Sequence, residues 1–130
     1  MMQKAVSLRS LLTEKPSVAL VGASSNPLKF GHIIFRDLLA RGFPVYPVNP
    51  GGGEILDHSV FKSLTELSAS EEPGLMVFVV PPAITLKVLK EAGELGWKNA
   101  WVQPGAGGKE VREYLEANGF TYLMDACIMV

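Results

Sequence analysis

Apolar residues in this chain alternate between short unbroken runs and longer stretches with helical spacing. Val18 to Ser25 reads as an apolar strand running into a glycine turn and two hydroxyls. Val45 to Val48 and Leu75 to Val80 repeat the pattern, each stopping at a loop built from proline or glycine. Uninterrupted apolar runs of this length predict strands covered by helices on both faces. Ala100 to Gln103 and Thr121 to Asp125 supply a fourth and a fifth.

The segments between them carry the 3.6-residue period. His32 to Arg41 brings Ile34, Phe35, Leu38 and Leu39 to one face, with Gly42 as a C-terminal cap. This helix is expected to start only after Gly31. A second helix shows Ile84, Val88, Ala92 and Leu95 as its buried stripe and ends at Gly96. A third sets Val111, Tyr114, Leu115 and Asn118 on one side, capped by Gly119. Ser7 to Glu14 is expected to form a short leading helix that Lys15-Pro16 ends. Gly51 to Gly53 opens an irregular stretch reaching Leu64, with room for a short edge strand near Val60-Phe61.

Strands alternating with helices through short loops imply a parallel sheet with right-handed crossovers. The expected fold is α/β: a Rossmann-like three-layer sandwich on a five-stranded parallel sheet of order 2-1-3-4-5. The 130 residues suit one domain, residues 1–130, with 1–15 as a leading helical segment.

A net charge of −1 and scattered basic residues offer no nucleic-acid surface. The apolar runs fall short of the roughly 20 residues of a membrane helix, so no membrane partner is expected. The single Cys127 points to a reducing compartment, with the cytoplasm as default. Two histidines and one cysteine without ligand spacing make a metal site improbable.

The three leading strand ends would meet at one rim, where an open α/β sheet binds ligands. Gly22 lets a phosphate approach the backbone, and the following amides with Ser24 and Ser25 are donors for an anion. The dinucleotide fingerprint is nevertheless incomplete. Ser24 and Pro27 stand where its second and third glycines belong, and Asn49-Pro50-Gly51 replaces the acid that reads a ribose diol. Both departures disfavour NAD. Pro47 to Pro50 and Val80-Pro81-Pro82 make two stiff apolar walls suited to a flat ring or an alkyl arm. Lys29, His32 and Arg36 are the nearest basic candidates for phosphate.

Gly22-Ala23-Ser24-Ser25-Asn26-Pro27, Val45 to Pro50, Gln103-Pro104-Gly105-Ala106 and Asp125-Ala126-Cys127 together resemble the small stand-alone CoA-binding proteins. These are similar to the CoA-binding domain of the succinyl-CoA synthetase α subunit and of ADP-forming acyl-CoA synthetases. The resemblance runs from about Val18 onward. It implies coenzyme A or an acyl-CoA as ligand. Gly22, Ala23, Ser24 and Ser25 would form the nucleotide loop. Val48, Asn49 and Pro50 would lie near adenine and ribose, and Val80, Pro81 and Pro82 near the diphosphate and pantetheine. No motif fixes a basic residue for the ribose phosphate, and Lys29 is the candidate. Where relatives often carry a basic or bulky residue after Asn49-Pro50, this chain has three glycines.

No catalytic constellation is found. The phosphohistidine of the synthetases lies on a domain absent from these residues. Gly22 to Asn26 lacks the closing glycine of a nucleophile elbow and no acid-histidine pair follows. Cys127 either faces the thiol of CoA at the rim or serves as a small buried hydrophobe. The expected function is therefore a non-catalytic CoA-binding module. The alternatives are an NAD(P)-dependent oxidoreductase, or a CoA-ligase component that needs a partner subunit. Gly22→Val is expected to block the phosphate approach while leaving the core intact.

Overall fold

The computed structural model describes residues 8–130. The leading helix is present from residue 8, continuing as a 3-10 turn over Leu12–Glu14, while Ser7 lies outside the described residues. The strands are β1 (Val18–Val21), β2 (Val45–Val48), β3 (Glu54–Ile55), β4 (His58–Ser59), β5 (Leu75–Phe78), β6 (Asn99–Val102) and β7 (Thr121–Met124). The helices are α1 (Phe30–Ala40), α2 (Leu64–Ser68), α3 (Pro82–Leu95) and α4 (Lys109–Ala117). Five strands form one parallel sheet in the order β2-β1-β5-β6-β7. Counting only these long strands gives the expected order 2-1-3-4-5.

Alternation along each strand divides the core between the two faces. Val18, Leu20, Leu75, Val77 and Trp101 pack against Ile34, Phe35 and Leu38 of α1. Ala19, Val21, Met76, Phe78, Ala100 and Val102 meet α2, α3 and α4 through Leu64, Leu89, Ala92, Val111 and Leu115. Both faces are covered, which is why these strands read as continuous apolar runs.

Four expectations need correction. The stretch before Leu64 holds a two-stranded antiparallel hairpin, β3-β4, that the sequence pattern did not reveal. Near Val60-Phe61 there is a single parallel bridge, Val48 to Phe61, in place of a further strand. The buried stripe of α3 is Thr85, Leu89 and Ala92, one residue round from the expected Ile84 and Val88. One residue is a 100° rotation, so Ile84 turns off the core towards the rim, while Val88 and Leu95 stay half-buried at its edge. Finally, α1 begins at Phe30, and Gly31 lies buried inside its first turn.

Candidate functional site

The C-terminal rim is organised by the turn after β1. Gly22 has φ +103°, a left-handed conformation that side chains rarely adopt. A Cβ there would stand 2.5 Å from the Val79 carbonyl oxygen. Gly22→Val would thus collide with backbone, and the expectation that it spares the core is overturned. Gly31 has the complementary role. Its α-carbon faces the Gly22 carbonyl so closely that a Cβ would overlap the oxygen and stand 3.1 Å from its carbon. The dinucleotide fingerprint uses its third glycine for such helix-to-strand packing. Here that glycine comes nine positions after Gly22 (31 minus 22).

The intervening loop is wound by its own side chains. The Asn26 amide donates to Ser24 Oγ (3.0 Å) and the Leu28 amide to Asn26 Oδ1 (3.0 Å). His32 is buried with Nδ1 2.9 Å from the Ser24 carbonyl, so Nδ1 carries the proton. It fixes the loop from beneath instead of meeting phosphate. Asn49 bridges the first two rim loops: Nδ2 donates to the Ala23 carbonyl (2.9 Å), and Oδ1 accepts from the Gly51 amide (2.9 Å).

Beside this turn opens a cleft of about 420 Å³. Of the residues singled out from the sequence, Gly22, Val48, Asn49, Pro50 and Val80 line it. Ala23 is buried, Ser24 half-buried, and Ser25 and Lys29 exposed; these four and Pro81 are outside the lining. Pro82 borders a separate groove of about 380 Å³ between the starts of α3 and α4, shared with Gly107 and Gly108.

Sequence reasoning missed the cleft's far wall. Ile84, Lys87, Val88 and Glu91 come from α3, and Lys62 from the segment between β4 and α2. Ile84 and Val88 had a signal, an apolar i, i+4 pair, but it was assigned to the core. Lys62 had none, because the hairpin that carries the chain back to β2 was not visible. Cys127 is half-buried, with Gln103 Nε2 3.4 Å from its Sγ, and does not line the cleft. Among the described residues no group of three His, Cys, Asp or Glu side chains comes together, and no helix is long and apolar enough to cross a membrane.

A family model described as CoA binding domain matches residues 16–130. The chain belongs to the CoA binding domain family. It is 35% identical to the α subunit of an ADP-forming acetate–CoA ligase I from Pyrococcus furiosus, over 92% of this chain and 28% of that subunit. The chain thus spans little more than a quarter of that relative's length. An uncharacterized protein of Bacillus subtilis, YneT, is 29% identical and matches over 95% of this chain and 90% of its own. Among solved structures, a conserved hypothetical protein of Pyrococcus furiosus superposes with a TM-score of 0.83 at 49% identity, covering 87% of this chain and 96% of that one. The resemblance noted from the four rim motifs is to this family, and the ligase subunits belong to the same circle of relatives.

Proposed function

We propose that this CoA binding domain holds coenzyme A or an acyl-CoA, with the adenosine part in the cleft beside Gly22, and that it works as a binding module without chemistry of its own. The observation that carries this reading is the cleft itself. Val48, Pro50, Val80, Ile84 and Val88 offer apolar surface for a flat ring, while the Gly22 turn opens at the same place. Family membership supports the choice of ligand. The absence of an acid between Val48 and Gly53 argues against a free ribose diol, and so against NAD. We place the domain at residues 1–130 and its setting in the cytoplasm.

The ligase relatives suggest a second reading, in which the chain acts with a partner subunit as one component of a CoA ligase. Ligand-induced thermal stabilisation tests the choice of ligand, which both readings share. A ligand in hundredfold excess over its Kd adds about 2.7 kcal/mol to folding, a rise of several degrees in Tm for a chain of this length. CoA and acetyl-CoA should produce it, whereas NAD, NADP and ATP should not. A rise with NAD or NADP and none with CoA would refute the proposal. Turnover of acetyl-CoA, ADP and phosphate by the purified chain would refute its non-catalytic part.

A further inference from the structure

We infer that Lys62 is a specificity-determining residue, reading the phosphate on the ribose of the bound nucleotide. The inference rests on the CoA reading of the cleft. The cleft's charged lining residues are Lys62, Lys87 and Glu91. Glu91 is already engaged, since its Oε2 accepts from the Thr65 amide (2.9 Å) and the Thr65 hydroxyl (2.6 Å) at the start of α2. Neither lysine has a carboxylate within salt-bridge distance among the described residues. Two lysines against one carboxylate leave the charged lining with a surplus positive charge, and neither ammonium group is ion-paired, so a ligand phosphate is the counter-charge that suits them.

Position decides which phosphate. In doubly wound sheets the loop after β2 faces the ribose. An acid there reads a free diol, and a cation nearby reads a phosphorylated ribose. This chain has glycines at 51–53 and no side-chain cation on that loop. Lys62 reaches it from outside: its stem runs along Gly52, with Cε 3.0 Å from where a Cβ would stand. Any side chain at 52 would press on that stem. Backbone bonds hold the segment in register, with the Phe61 amide donating to the Pro47 carbonyl (2.9 Å) and the Asn49 amide to the Phe61 carbonyl (2.8 Å). The Lys62 amide itself donates to the Glu66 carboxylate. Lys29, by contrast, is exposed ahead of α1 and away from the cleft lining.

The test is calorimetric titration of CoA and of dephospho-CoA, which lacks only the ribose phosphate, into the wild type, Lys62→Gln and Lys29→Gln. Lys62 is exposed, so its variant should keep the wild-type Tm. The wild type should bind CoA at least tenfold more tightly than dephospho-CoA. Lys62→Gln should remove most of that preference by weakening CoA alone, and Lys29→Gln should leave it intact. Equal binding of the two ligands by the wild type would overturn the inference and leave the CoA reading standing. Equal weakening of both ligands in Lys62→Gln would also overturn it, since Lys62 would then serve the diphosphate. Binding of neither ligand would remove both readings. A preference for NADP over NAD in place of CoA would overturn the assignment to the CoA phosphate.

Discussion

Gly31→Ala should destabilise this protein although it replaces glycine with the best helix former. In an exposed helix interior the exchange would gain about 1 kcal/mol. At Gly31 the new methyl group would overlap the Gly22 carbonyl oxygen and stand 3.3 Å from the Ser24 amide nitrogen. Both neighbours are backbone, in a turn pinned by the Gly22 amide donating to the Val48 carbonyl and by His32. The helix must therefore move out by roughly an ångström, and overpacking of this kind costs about 1–3 kcal/mol or more. Taking about 3 kcal/mol against the propensity gain leaves about 2 kcal/mol of net loss. For this length of chain that is a fall in Tm of about 6–10 °C. Gly93, within α3, is the matched control. Its added Cβ would meet only the Tyr114 hydroxyl at 3.7 Å, an ordinary contact. Gly93→Ala should therefore gain about 0.5–1 kcal/mol. Chemical denaturation of the two variants beside the wild type measures both. A Gly31→Ala variant as stable as the wild type would refute the claim that Gly31 sets the approach of α1 to the turn.

Other consequences can be checked with the same material. Ile84 is 42% exposed, so Ile84→Ser should leave the Tm nearly unchanged while weakening CoA binding severalfold, as read by titration. Asn49→Ala removes the bond that ties the first two rim loops together and the one that shapes its own turn, and should cost about 1–2 kcal/mol in urea denaturation. Ile128 is 1% exposed in the core cluster with Leu8 and Trp101, and its truncation to alanine should cost about 2–4 kcal/mol. Burial and then the neighbouring Glu116, whose Oε2 accepts from the Tyr122 hydroxyl at 2.6 Å, raise the Tyr122 pKa above its ordinary value. Its neutral form is thus favoured by folding. That contribution is whole below about pH 10 and is lost as pH rises through the raised value; Tyr122→Phe should flatten the alkaline fall in stability.

Elements stabilised by one strong local pattern were legible in the sequence. The apolar runs of β1 and β5 are buried on both faces, so every side chain reports the same environment. Gly22 was legible because a turn after such a strand demands it. Gly31 was not, because its reason is a carbonyl nine residues back, four positions beyond where the dinucleotide spacing puts a third glycine. Ile84 and Val88 were recognised as a helical stripe, yet period alone does not say whether a stripe faces core or cleft. Lys62 was out of reach for a further reason. Its position depends on the β3-β4 hairpin, whose strands are two residues each, too short to show alternation.

On the proposed function the ligand lies in the cleft beside Gly22. Backbone amide shift mapping by NMR on addition of CoA tests it most directly. The largest shifts should fall at Gly22, Ala23, Asn49, Lys62 and Val80, with Glu72, Gly74 and residues 96–99 at the opposite end of the sheet unmoved. Shifts concentrated instead at Ala83, Gly107 and Gly108, in the groove between α3 and α4, would contradict it.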